Sequence, residues 1–167
     1  MEERDRRPVT DGGSNGEGSA NDGPTAGGAE ATADEGDRTA VVRELYDAIP
    51  FHRELELEVL AVTPRKAETR IPFDGSLVGN PDLQVLHGGV ISSIVDLTGA
   101  AVFIGHRGDY TPTVDLRVNY LEAAGKHPLY ATATIERRGE NIGVASVEVE
   151  SGDAVCATGT GVYKLRD

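Results

Sequence analysis

The sequence predicts an α+β domain in which an antiparallel sheet curls around one long helix. Three observations carry that expectation. The stretch from Val85 to Arg107 is apolar on most sides, the segments after it alternate apolar and polar residues with a period of two, and the links between those segments are short. In the central stretch, Val90, Ile91, Ile94, Val95, Leu97, Ala100, Ala101, Val102 and Ile104 leave little room for a polar face. A helix apolar on most sides is buried on most sides. The stretch reads as too short, and too interrupted by Ser, Gly and Asp, to span a bilayer.

The elements follow in chain order. Thr39 to Ile49 has Val41, Val42, Leu45 and Ile49 near helical spacing, with Pro50 ending the helix. Glu54 to Val62 alternates Leu55, Leu57, Val59 and Ala61 with polar groups, and Arg65 to Phe73 alternates Ala67, Thr69, Ile71 and Phe73. These read as two strands joined by the turn Thr63-Pro64. Asp74 to Leu86 carries Gly75, Gly79, Asn80 and Pro81 and reads as a loop. The central helix follows, closed near Gly105 to Gly108. Val114, Leu116, Val118 and Tyr120 then line one face of a strand, and Leu129, Ala131, Ala133 and Ile135 one face of the next. Ile142 to Glu150 and Ala154 to Lys164 make two more, linked by Ser151-Gly152-Asp153; Arg138-Gly139-Glu140-Asn141 is another hairpin-type link.

Short links make antiparallel neighbours. An antiparallel sheet has one face to bury, and the central helix is the only large apolar partner. The expected architecture is therefore the hotdog fold; the alternative is another α+β sandwich with two helices.

The net charge of -12 is unevenly spread. Residues 1 to 37 hold ten acids and three bases, the rest 18 acids and 13 bases. The first 37 residues have no aromatic residue, Leu or Ile, and are expected to be a disordered acidic tail ahead of a domain over residues 38 to 167. The acidic surface disfavours nucleic-acid binding. No secretory or membrane-spanning segment is expected, and a single cysteine, Cys156, fits a reducing cytoplasm. No Gly-rich phosphate loop is present, which disfavours nucleotide and dinucleotide chemistry.

Two features of the central helix point to chemistry. Asp96 places a carboxylate among Ile94, Val95 and Leu97, which is unfavourable without partners. Such a group serves as a base for water or as a nucleophile; the alternative is a structural Asp bonded to nearby backbone or hydroxyl groups. Gly88 and Gly89 stand where the first helical N–H groups lack internal partners and carry the positive end of the dipole. They can donate to a developing oxyanion; the alternative is a tight loop entry. His87 suits capping and loop support better than proton transfer. His52, His106 and His127 lack metal-ligand spacing and read as surface groups, Cys156 as packing. Ser92 and Ser93, one turn before Asp96, read as close packing or as bonds to it. Arg137 and Arg138 precede a turn, where they meet the phosphates of a ligand or simply solvent.

LHGGVISSIVDLTGAA resembles the helix motif of hotdog-fold acyl-CoA thioesterases of the phenylacetate-pathway (PaaI-like) type, in which HGG opens the helix and an acid follows nine positions after the His. PTVDLRVNYLEAA resembles the family's next strand, and RRGENIGVASVEVESGDAVCATGTGVYKL its final strand pair. The likeness covers about Ile49 to Leu165. It implies Asp96 as catalytic carboxylate, Gly88 as oxyanion donor, His87 as support for a loop Asn, and Thr113 as the hydroxyl that orients water. The family's Asn usually sits six residues before the His, where this chain has Pro81; Asn80, seven before, takes the role with a one-residue insertion. Gly89, Arg137 and Arg138 are the candidate substrate contacts.

The expected activity is hydrolysis of an acyl- or aryl-CoA thioester by a cytoplasmic enzyme without metal or other cofactor. The alternatives are a non-catalytic acyl-CoA-binding module and an enoyl-CoA hydratase. Gly88 and Asp96 lie about 12 Å apart along one helix, too far to meet one carbonyl, so two helices of a homodimer, possibly assembled to a tetramer, are expected to share each site.

Overall fold

A computed structural model describes residues 35–166. In order these are α1 (Glu35–Asp47), α2 (Pro50–Glu54), β1 (Glu58–Val62), β2 (Lys66–Ile71), a single 3₁₀ turn (Gly75–Leu77), β3 (Val78–Asn80), β4 (Val85–Leu86), α3 (Gly88–Arg107), β5 (Thr113–Tyr120), β6 (Leu129–Arg138), β7 (Ile142–Ser151) and β8 (Ala154–Lys164). Six strands form one antiparallel sheet in the order β1-β2-β6-β7-β8-β5, and β3 pairs with β4 as a separate hairpin. The sheet packs around α3, as the hotdog reading requires. The expected tail lies outside the described residues except for residues 35–37, which open α1.

The helix sits close to the sheet because the inward strand positions are small. Ala131, Ala133, Ala145 and Ala157 are buried, facing a helix whose Ile94, Val95, Ala101, Val102 and Phe103 are all fully buried. Small residues on one layer let the bulky ones of the other seat at native density. At one point the fit demands glycine on both layers. The Tyr163 hydroxyl lies 2.1 Å from where a Cβ on Gly99 would stand and 2.2 Å from one on Gly161. The phenol fills that notch and donates to the main-chain oxygen of Asp96 at 3.0 Å. A second buried bond crosses the layers: Thr98 Oγ1 donates to Ile94 O at 2.6 Å, so Thr69 Oγ1, also at 2.6 Å, donates to Thr98.

Four expectations need correcting. Pro50 does not merely end the first helix; it opens α2 at a position where its missing N–H has no helical partner anyway. The strand expected from Glu54 starts only at Glu58, and a bulge between Val59 and Ala61 turns Val62, rather than Ala61, fully into the core. The expected loop Asp74 to Leu86 contains the β3–β4 hairpin. Finally, α3 is 20 residues long and apolar enough to cross a membrane by length and composition; at about 1.5 Å per residue it is about 30 Å long. Its place under the sheet, not its length, makes it a core helix.

β5 ends the sheet. Its apolar face is only partly covered within one chain, with Val114 and Tyr120 exposed and Leu116 and Val118 half-buried. On the other side of the core, α1 docks through Tyr46, whose hydroxyl donates to Leu97 O at 2.5 Å, and through Arg43, whose Nε donates to Val59 O at 2.8 Å.

Candidate active site

The site is built on α3 and the strand that follows it. Asp96 lies on the half-buried side of α3, and Thr113, first residue of β5, donates its hydroxyl to Asp96 Oδ1 at 2.7 Å. Two effects act on this carboxyl. Burial disfavours the charge and raises its pKa above the ordinary aspartate range; the Thr113 bond stabilises the charge and opposes the rise, and burial wins. The result is a carboxylate more basic than an exposed one, held in one orientation.

The N-terminus of α3 is set by His87. Its backbone is extended (φ -65°, ψ 136°), and its Nδ1 accepts the Gly89 N–H at 2.9 Å. That bond leaves the neutral ring's proton on Nε2. His87 N–H in turn donates to Leu77 O at 2.8 Å, and β3 crosses so closely that a Cβ on Gly79 would stand 2.7 Å from His87 Cα. His87 is thus a cap held by the β3–β4 hairpin, which suits support rather than proton transfer.

The two glycines differ. The Gly89 N–H is taken by His87, so Gly89, a candidate substrate contact, does not offer its amide to a substrate. The Gly88 N–H forms no bond among the described residues and points out of the first turn, where the helix dipole is positive. A Cβ on Gly88 would meet the Tyr120 ring at 3.5 Å, ordinary contact, so no neighbour among the described residues requires glycine there. Two grooves flank this end. One of about 410 Å³ lies between α2, β3 and the first turns of α3; the other, of about 310 Å³, lies between α3 and the β5–β6 connection, over the buried Leu86, Ile91 and Ala124.

The remaining candidates are placed elsewhere. Asn80 is exposed and its Oδ1 accepts the N–H groups of Asp82 and Leu83, at 3.0 and 3.1 Å, closing the β3–β4 turn. Arg137 and Arg138 are exposed at the end of β6. Arg138 pairs with Gly143, which lies against Phe103, 15 residues along α3 from Gly88; at about 1.5 Å per residue that is about 22 Å away. Within one chain these arginines sit at the opposite end of α3. Ser92 and Ser93 do not bond to Asp96; Ser93 donates back to Gly89 O at 2.8 Å, and the Ser92 hydroxyl lies 3.2 Å from Gly88 O.

Two histidines read as surface groups are not. His52 is buried, with its Nδ1 unpartnered and its ring 4.4 Å from that of Tyr46. His106 is half-buried and bonds to Pro64 O at 2.7 Å and to Arg38 Nη1 at 3.1 Å. His127 is exposed, as expected, and Cys156 is buried in the sheet. The residues that sequence reasoning missed are Tyr163 and Tyr120. The only trace of Tyr163 was the glycine pair, Gly99 and Gly161, that makes room for it; Tyr120 was legible as one face of β5 but not as a neighbour of Gly88.

Together, a long core helix under an antiparallel sheet, an oriented carboxylate on it and an open amide at its N-terminus define a hotdog enzyme site. Comparison with known proteins agrees. The thioesterase superfamily matches residues 83–157. The medium/long-chain acyl-CoA thioesterase YigI of Salmonella typhimurium is 30% identical over 133 residues, covering 70% of this chain and 86% of YigI. Among solved structures, a Shewanella oneidensis protein related to the thioesterase superfamily superposes with a TM-score of 0.66 at 26% identity, covering 80% of this chain and 100% of that one. The E. coli PaaI protein from the phenylacetic acid degradation operon shares the fold, with a TM-score of 0.71 at 17% identity over 80% of this chain and 96% of its own. The chain belongs to the thioesterase superfamily.

Proposed function

We propose that this protein is a cytoplasmic acyl-CoA thioesterase, hydrolysing R–CO–S–CoA to the acid and free CoA in sites shared across a homodimer. The observation that carries the reading is the pairing of a burial-raised, Thr113-oriented Asp96 carboxylate with the open Gly88 N–H on the same helix. Asp96 activates water or attacks the carbonyl itself, and the carbonyl oxygen takes the Gly88 N–H as its negative charge develops. Thr113 orients the attacking group. His87 holds the N-terminal turn, and Asn80, whose carboxamide nitrogen makes no bond among the described residues, borders the substrate path. Arg137 and Arg138 are the proposed contacts of the coenzyme A phosphates.

Helix geometry supports the shared site. Gly88 and Asp96 are eight residues apart, which is about 12 Å along the axis with a rotation of roughly 80°. A thioester carbonyl and its attacking oxygen stand within about 3.5 Å in a reactive pose. Two antiparallel helices of a two-fold dimer bring Gly88 of one chain to Asp96 of the other. The free edge and exposed Val114 and Tyr120 of β5 suit pairing with a second copy.

The test is thiol release from a panel of aromatic, medium and long acyl-CoA substrates. The substrate class of YigI makes the medium and long chains the first to try. Release by the wild type and its loss in Asp96→Asn is the expected result. Binding of acyl-CoA with no thiol release supports a carrier module instead, and loss of enoyl absorbance without thiol release supports a hydratase.

A further inference from the structure

Side chains of the edge strand β5 hydrogen-bond to α3 at two places, one beside each half of the proposed site. At its start Thr113 meets Asp96. At its end the Tyr120 hydroxyl lies 3.1 Å from Gly88 O and makes a short bond with Ser92 Oγ, which is itself 3.2 Å from Gly88 O. These three contacts share two protons, one from each hydroxyl. Whichever way they point, one serves the Ser92–Tyr120 pair and the other reaches the Gly88 carbonyl. The other end of the same peptide is also held, because the Gly89 N–H donates to His87 Nδ1. The Gly88–Gly89 peptide is therefore fixed on both sides, by β5 through Tyr120 and Ser92 and by the hairpin through His87. The Tyr120 ring lies beside Gly88, its nearest atoms at ordinary contact distance from the missing Cβ.

We infer that Tyr120 is a positioning residue for the oxyanion donor: its hydroxyl fixes the first turn of α3 against β5 so that the Gly88 N–H meets the substrate carbonyl at the required angle. The role rests on the thioesterase reading and extends it. Because β5 is also the strand through which a second copy would pair, the anchor sets where Gly88 of one chain stands relative to Asp96 of the other. Tyr120 touches no reacting atom and acts through the backbone it holds.

Tyr120→Phe keeps the ring, and with it the contact on Gly88, and removes only the hydroxyl. Tyr120 is half-exposed, and its hydroxyl partners remain solvated or bonded to each other, so the variant folds. The expected result is a kcat lowered roughly three- to tenfold, the range that one hydrogen bond's net worth allows, with KM within about twofold. The loss is uniform across pH, because Asp96 is untouched; an anchor acting on the carboxylate instead would shift the acid limb. Amide hydrogen exchange at Gly89 and Val90, whose N–H groups are bonded to His87, speeds up, while that of Ile94 to Phe103 stays as in the wild type. A Tyr120→Phe protein with wild-type kcat and unchanged exchange at Gly89 and Val90 would overturn the inference. So would an equal loosening of the whole helix, which would make Tyr120 a general stabiliser. If the wild type releases no thiol, the thioesterase reading fails by itself, and the exchange measurement still decides whether Tyr120 holds this turn.

Discussion

Replacing Gly88 by proline removes its N–H and puts the ring Cδ in the proton's place. Gly88 is the first residue of α3, where proline is favoured because its fixed φ suits the helix and its missing N–H has no helical acceptor. The residue before a proline must be extended, and His87 already is, at φ -65° and ψ 136°. A Cβ at Gly88 meets the Tyr120 ring at 3.5 Å without overlap. Gly88→Pro should therefore fold with a melting temperature close to that of the wild type, while lacking the proposed oxyanion donor. Loss of one such donor typically lowers kcat by about 10²–10³, or about 2.7–4 kcal/mol of barrier, with a smaller effect on KM. Steady-state thiol release on the best acyl-CoA, with circular dichroism and thermal melting as folding controls, gives the number. The same variant tests the shared site. When Gly88→Pro and Asp96→Asn chains are unfolded together and refolded as a mixture, half the dimers are mixed, and each mixed dimer has one intact site and one doubly damaged site. Activity should recover to about a quarter of wild type. A folded Gly88→Pro protein with turnover within a few-fold of wild type removes the oxyanion role. Mixed dimers that form but stay inactive place both groups in one chain.

Further outcomes follow from single side chains. Asp96→Asn should lose at least about a hundredfold in turnover, a barrier change of about 2.7 kcal/mol. Its melting temperature at pH 7 should be equal or higher, because burial disfavours the charge that is removed; a folded variant with normal turnover sinks the mechanism. Thr113→Val removes the bond that holds the Asp96 pKa down, so the acid limb of the pH–rate profile should move to higher pH; an unmoved limb contradicts the pairing. His52 is buried, with a pKa lowered mainly by that burial. Below its ordinary value of 6.5 the unfolded chain takes up a proton that the folded chain does not, so stability should fall as pH drops through that range. His52→Leu should flatten that part of the curve of melting temperature against pH. Deleting residues 1 to 34 should leave melting temperature and turnover nearly unchanged at fixed salt, since their composition offers little apolar surface to dock.

Much of this fold was legible in the chain because its signals are local. The apolar run in α3 and the period-two strands after it depend on residues a few positions apart, and the short links force antiparallel neighbours. So does the pairing of His87, Gly88 and Asp96, which is a matter of spacing on one helix. What sequence could not decide depends on residues far apart in the chain. Leu55 and Leu57 alternate like a strand, yet α2 takes residues 50–54 because Pro50 can start a helix and His52 can pack against Tyr46. Nothing in the local pattern of His52 or His106 announces burial, since the covering groups come from other elements. The two amides of Gly88 and Gly89 are alike in sequence; only the ring of His87 makes one a capped amide and leaves the other open. The Thr113 bond to Asp96 spans 17 residues, the Tyr120 contact with Gly88 O spans 32, and the Tyr163 bond to the Asp96 carbonyl spans 67. Local periodicity selects the elements, but which hydroxyl meets which backbone group is set by how a twisted sheet closes over a helix, and that exists only once the chain has folded.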